Sequence, residues 1–346
     1  MRVGEPVTVG VPLPAALCTD EQCICVSGAA GVVPVQAQAL ERWPDGSIRW
    51  ALLDFQANAP ASYDVSFGST PVPLKGLVLR EQNGTAEIES ADLVFRVYSK
   101  GEFRVDVSDA RGVTGPRRLS IDVMRQDGTL VHPDVTSIAW ETQGGIRSVL
   151  RVDAVIDAGS RRALQLVARL HFYARLRTVR FELTVLNPAR AQHPDGFWEL
   201  GDVGSILIGD CSVRIDTGAA SSVHCSVDAE RALETFPLPF ELYQDSSGGD
   251  NWQSTVHVNR DGVVPVSFCG YRLNAGGDTR EGRRATPVIW SDGGAARTGI
   301  AVRHFWQNSP KSLEADTHQL VLRLFPGQFA DLHEIQGGEQ KTHVFH

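Results

Sequence analysis

Apolar and polar residues alternate with a period of two along most of this chain, the spacing of a β-strand with two unlike faces. Val33, Val35, Ala37 and Ala39 alternate with Pro34, Gln36, Gln38 and Leu40. Beyond Arg42-Trp43-Pro44-Asp45-Gly46-Ser47, Ile48, Trp50 and Leu52 share one face and Ala51, Leu53 and Phe55 the other. The Pro-Asp-Gly-Ser stretch between them is a turn: proline fixes φ, aspartate can bond its own backbone, and glycine supplies a positive φ. The pattern predicts a β-hairpin whose second strand is apolar on both faces, and so is covered on both sides or set in a barrel wall.

The same reading predicts strands at 7–13, 23–26, 63–67 and 72–79, which make residues 1–78 a small all-β unit. Strands then follow at 86–90, 93–98, 103–108, 119–125, 137–142, 148–157, 164–173 and 178–187. In 164–173, Leu164, Leu166, Ala168, Leu170 and Phe172 oppose Gln165, Val167, Arg169, His171 and Tyr173, one packed face and one partly polar face. Further strands are predicted at 205–208, 212–215, 221–227, 255–258, 263–271, 287–291, 299–304 and 319–325. A helical turn or two is predicted only at 229–234. Many strands with turns between them and no alternating helices mean an all-β sandwich or barrel.

The chain of 346 residues has room for two domains. It contains no apolar run of roughly 18 residues, so no membrane-spanning helix is predicted. The first residues lack the apolar core of a secretory signal, so a cytoplasmic protein is expected unless a leader precedes this sequence. A net charge of −8 argues against nucleic acid or an anionic membrane as partner, while leaving room for a local basic site for an acidic sugar. Lysine occurs only at Lys75, Lys100, Lys311 and Lys341. Cys18, Cys23 and Cys25 lack the paired spacing of a zinc site, so free structural thiols are expected. No phosphate-binding glycine loop, His-Glu-x-x-His helix or Gly-x-Ser-x-Gly elbow is present, and neither cofactor nor metal is predicted.

Four constellations could carry chemistry. His193-Pro194-Asp195-Gly196-Phe197-Trp198-Glu199-Leu200-Gly201-Asp202 places a histidine, two aromatics and carboxylates in one loop. It is either a binding loop or an ordinary connection with Trp198 plugging the sandwich edge. His304-Phe305-Trp306-Gln307-Asn308-Ser309-Pro310-Lys311 would place hydrogen-bonding groups and a ring at the end of a strand, or form a solvated aromatic strand end. In Gln336-Gly337-Gly338-Glu339-Gln340-Lys341-Thr342-His343, residues Glu339, Lys341 and His343 share one side if the segment is extended. A solvated edge strand or a frayed terminus fits that charge pattern too. Arg169, His171, Tyr173, Arg175, Arg177 and Arg180 form an arginine-rich face that is either a carboxylate binder or a charged solvent face.

Taken together, the motifs resemble the exo-acting rhamnogalacturonan lyase family. The resemblance rests on Gly4-Glu5-Pro6-Val7-Thr8-Val9-Gly10-Val11-Pro12-Leu13-Pro14, Val33-Pro34-Val35-Gln36, and the segment from Arg42 to Trp50. It extends in order through His193–Asp202, Phe305–Lys311 and Gly337–His343. It implies a small N-terminal β-barrel at 1–78 followed by a large antiparallel β-sandwich at 79–346. In that family an α/α toroid follows, and this chain stops where the toroid would begin. The implied chemistry is β-elimination at a galacturonate in an acidic, pectin-type polysaccharide. A base takes the C5 proton, a cation neutralises the C6 carboxylate, and an acid protonates the leaving oxygen. The resemblance points to Lys341 or His343 as base or acid and Lys311 as neutraliser, with His193 also a catalytic candidate. Trp198 and Trp306 would be sugar platforms, and Asp202, His304, Gln307, Glu339 and Gln340 further substrate contacts. Two other readings stay open: a non-catalytic carbohydrate-binding protein lacking the toroid half of the site, and a structural β protein with no sugar ligand.

Overall fold

The computed structural model describes residues 2–68, 72, 76–110, 117–192, 200–228, 230–293 and 296–346. The all-β expectation holds, since among the described residues the helices are short 3-10 turns. Two apolar cores form. The first gathers Leu13, Ile24, Val26, Ile48, Ala51, Leu53, Phe55 and Ala57. It lies between the sheet of Arg2–Pro12, Ile48–Ala59 and Val35–Arg42 and the sheet of Gly31–Val33, Ile24–Gly28 and Asp64–Phe67. The hairpin turn is as its residues require. Gly46 has φ +84°, and Asp45 Oδ1 accepts from Ser47 N at 2.9 Å.

The hairpin's second strand does not bury both faces equally. Ala51, Leu53, Phe55 and Ala57 face the core, while Trp50 is 39% exposed. Asp54 and Gln56 of this strand, with Gln36 of the neighbouring strand, form a polar joint to the rest of the chain. Asp54 Oδ1 accepts from Arg147 Nε at 2.7 Å, and both side chains are buried. Gln36 Oε1 accepts from Ile146 N and Arg147 N, and Gln56 Nε2 donates to Ala174 O.

The second core lies between a six-stranded antiparallel sheet and a much larger one. The smaller sheet orders Gly101–Glu102, Asp134–Thr142, Arg147–Gly159, Arg162–Tyr173, Val179–Leu186 and Gln340–Phe345. Leu164, Leu166, Ala168, Leu170 and Phe172 are all buried on one face, as the alternation predicts. Phe172 meets Phe95 of the larger sheet with ring centroids 5.4 Å apart. The opposite, arginine-rich face is internally paired: Arg169 with Glu141 at 2.7 Å and Arg180 with Glu182. All six cysteines are free.

Five local expectations need correction. The strand predicted at 72–79 begins only at Val78 and runs to Gln82, and residues 73–75 lie outside the described residues. The predicted strand at 263–271 is absent before Tyr271 because Asp245 Oδ2 takes the Ser267 and Phe268 N–H groups a ladder would use. At 255–258 a 3-10 turn, Thr255–His257, replaces a strand, and Val256 is 79% exposed with nothing to pack against. At 230–234 Arg231 N closes a turn onto Asp228 O, and the chain goes directly into the strand Glu234–Pro237. The two strands predicted at 205–208 and 212–215 are one, Ile206–Asp216, whose start pairs with His333–Ile335 and whose remainder pairs with Gln319–Phe325.

Two stability predictions follow from this geometry. Gly46→Ala meets no steric obstacle but must hold a positive φ, so urea unfolding should show a loss of about 1–2 kcal/mol. Asp54→Ala leaves the Arg147 charge buried and unpaired, and should cost about 3–5 kcal/mol in the same measurement. An unchanged midpoint would show that this ion pair does not support the joint.

Candidate functional site

The strand Gln340–Phe345 pairs with Val179–Leu186, placing His343 opposite Leu183. Its period of two turns His343 and Phe345 into the core and leaves Thr342 exposed. Lys311 begins the strand Lys311–Ala315 of the larger sheet, opposite Gln244. Lys311 and His343 therefore come from two facing sheets and meet between them. With the imidazole neutral, Lys311 Nζ donates to His343 Nδ1 at 2.7 Å, and it also reaches Leu324 O at 3.4 Å. The two residues are 0% and 1% exposed.

Burial pushes the Lys311 ammonium well below its usual value, and the charge of Lys341 adds to this. Burial likewise holds His343 well below the usual imidazole range, with Lys311 and Lys341 contributing. Both shifts have one origin: a charge here has lost water and gained no carboxylate. His343 Nε2 is buried without a hydrogen-bond partner among the described residues. The Phe325 ring organises the cluster. His343 and His333 meet it edge-on at 5.2 and 5.4 Å, and Lys341 Nζ lies over it at 5.2 Å.

Beside this cluster lies a cavity of about 200 Å³. Lys341, His333, Glu334, Glu339, Arg260 and Asp331 supply its polar lining, and Phe329 an aromatic face. Burial lowers the Lys341 pKa, opposed by the Glu339 carboxylate. Burial holds His333 at about 4, so its ring is neutral at pH 7. His333 Nε2 contacts Pro326 O at 2.9 Å, and its ring stacks on Phe329 at 5.1 Å. Asp331 is held below the usual carboxylate value by hydrogen bonds from Asn259 and Arg260, against the effect of burial. Glu334 Oε1 accepts from Gly201 N and Ser205 Oγ, each at 2.6 Å. Its Oε2 is buried with no partner among the described residues, so one acceptor of this cavity-lining side chain is unused.

The residues singled out from sequence are thus divided. Lys341 and Glu339 line the cavity, while Lys311 and His343 lie in the core, out of reach of a ligand in this conformation. Glu339 also accepts from Gln336 N through Oε2 at 2.8 Å. Asp202 ties its own loop, accepting from Gly204 N and Gln192 N. His304 is exposed with φ +55°. Trp306 is half-buried with the Arg284 guanidinium 4.3 Å from its ring centre. Gln307 and Gln340 are exposed, and none of these five residues lines the cavity. His193 and Trp198 lie outside the described residues. Arg260, Asp331, His333 and Glu334 escaped the sequence reading. Asn259-Arg260-Asp261-Gly262 signals only a turn, and His333-Glu334 shows no ligand or catalytic spacing.

Among the described residues, no cluster of three histidine, cysteine or carboxylate side chains could hold a metal ion. Among those residues, no helix is long and apolar enough to cross a membrane.

Comparison with known proteins adds a family for one part of the chain. Uncharacterized protein YetA of Bacillus subtilis (strain 168) is 26% identical over 159 residues, covering 41% of this chain and 18% of that protein. An alpha-mannosidase from Enterococcus faecalis V583 superposes with a TM-score of 0.51 at 11% identity, covering 99% of this chain and 41% of that one. This likeness is one of fold. A glycosyl hydrolase family 38 protein from Enterococcus faecalis gives a TM-score of 0.48 at 11% identity, over 99% of this chain and 42% of that one. The chain therefore spans less than half the length of these structures. Residues 2–68 match the model of the PcRGLX-like N-terminal RIFT barrel domain, so this segment is similar to a rhamnogalacturonan-lyase-type domain.

Proposed function

We propose that this chain has a carbohydrate-related role and engages an acidic, pectin-type polysaccharide at the cavity beside Lys341. The observation that carries the reading is the family match of residues 2–68. The cavity supports it: it joins cationic groups, a carboxylate with one acceptor unused among the described residues and an aromatic face. Its volume of about 200 Å³ lies below the usual pocket range of roughly 300–1,000 Å³, which suits a single sugar ring.

The finer proposal is β-elimination. Lys341, held below its usual pKa, takes the C5 proton of a uronate. The C4–C5 double bond forms as the C4–oxygen bond breaks, and the leaving oxygen takes a proton from water. Arg260 uses two N–H groups on Asp331 and has others to offer the uronate carboxylate. Lys311 and His343, buried behind Lys341, act as positioning residues. A second reading, binding without elimination, is favoured by the burial of those two residues away from any substrate.

The test is to incubate the chain with rhamnogalacturonan I and with polygalacturonate, following the ultraviolet absorbance of the unsaturated product. A rise is expected, increasing with pH as the Lys341 ammonium loses its proton. Lys341→Arg cannot act as a base and should lower turnover about 10²–10⁴-fold while retaining polymer binding in an affinity gel. Full turnover by Lys341→Ala would overturn the base assignment. Retardation without turnover would select the binding reading, and neither signal would remove the carbohydrate role.

A further inference from the structure

A second and larger cavity, of about 430 Å³, opens where three sheets meet. Phe95, Val105 and Leu119 come from the largest sheet, Phe181 from the six-stranded sheet, and Ile289 and Ile300 from the small sheet containing Val288–Gly293 and Ala296–Ala301. These are core side chains continuing into an open space. The volume lies within the usual range for a small-molecule site, and the walls are aliphatic and aromatic. Apolar side chains outnumber polar ones on these walls, so an apolar ligand body is favoured over a sugar ring.

Four arginines line the same cavity, Arg117, Arg118, Arg177 and Arg297, against one carboxylate, Asp109, which has interactions of its own. Three arginines have largely exposed side chains and are already paired: Arg118 with Asp106, Arg177 with Asp92 and Arg297 with Asp292. Arg117 differs. Its Nη2 donates to Gly293 O at 2.7 Å. Its Nη1 is buried with no hydrogen-bond partner among the described residues, and the carboxylate that acts on it, Asp216, does so without a hydrogen bond. A guanidinium lining an apolar chamber and not committed to an ion pair there complements one kind of molecule, an apolar body ending in a single carboxylate, which Arg117 can take with a small turn of its side chain.

We propose that this cavity binds an amphipathic monocarboxylate of medium chain length, its tail among the apolar walls and its carboxylate on Arg117. The site is separate from the Lys341 cavity, and the two share no lining residue. Its test is therefore independent of the carbohydrate reading.

Isothermal titration of the whole chain with decanoate, kept below its micelle concentration, and with uncharged decan-1-ol reads the two halves of the proposal separately. Decanoate is expected to bind saturably at one site, with decan-1-ol at least tenfold weaker. Arg117→Gln should bring decanoate down to the level of the alcohol and leave the alcohol unchanged. Thr298→Trp, at a half-buried lining position, should weaken both ligands. No saturable decanoate binding, or an unchanged preference over the alcohol in Arg117→Gln, overturns the proposal. If Arg117→Gln does not fold, Thr298→Trp decides the location, and undiminished decanoate binding in that variant overturns it.

Discussion

Leu150, Val152, Leu164, Leu166, Leu170 and Leu183 cover one face of the six-stranded sheet, and the larger sheet closes over it with Val97, Val105, Ile121, Val213 and Leu322. This shared apolar face fixes the register of every strand that contributes to it, because a slip of one residue would exchange the buried set for the polar one. Gln340–Phe345 is held to the same rule. Its pairing with Val179–Leu186 places Phe345 against Phe181, rings stacked with centroids 5.0 Å apart. Once Phe345 is inside, His343 must be inside too, and Lys341 follows on the same face at the cavity wall.

That packing brings titratable groups into a place where water is scarce. Lys311 and His343 meet at 2.7 Å with no carboxylate partner, and their pKa values move in the directions that favour neutral forms. Such a pair is costly to keep charged and carries a buried imidazole nitrogen without a partner. The solvent-facing arginines behave differently. Arg169 pairs with Glu141 and Arg118 with Asp106, and solvent supplies the rest of their hydration. The contrast separates a charged surface from a cluster whose chemistry is set by burial.

The N-terminal barrel-like unit is joined to the remaining sheets through polar groups. Asp54 and Arg147 are buried together, and Gln36 binds two successive backbone N–H groups across the joint. These contacts are directional, so they fix an orientation that apolar packing alone would leave loose. They also explain why the hairpin's second strand carries aspartate and glutamine among apolar neighbours.

The sequence by itself determined the strand content, the hairpin around Gly46 and the buried face of 164–173, because alternation and turn chemistry are local properties. It carried the resemblance that residues 2–68 bear out. It also singled out Lys311, Lys341 and His343, though not which of them touches the cavity. Only the tertiary structure decided that, since Lys311 and His343 lie on different sheets and their burial depends on what faces them. The same reason hid Arg260, Asp331, His333 and Glu334: separated by as many as 74 positions in the chain, they gather only after the strand His333–Ile335 pairs with Ile206–Asp216. The false strand at 263–271 failed on a distant group as well, the carboxylate of Asp245 claiming its backbone donors. Periodicity records which side of a strand is apolar, and only the folded chain determines what that side meets.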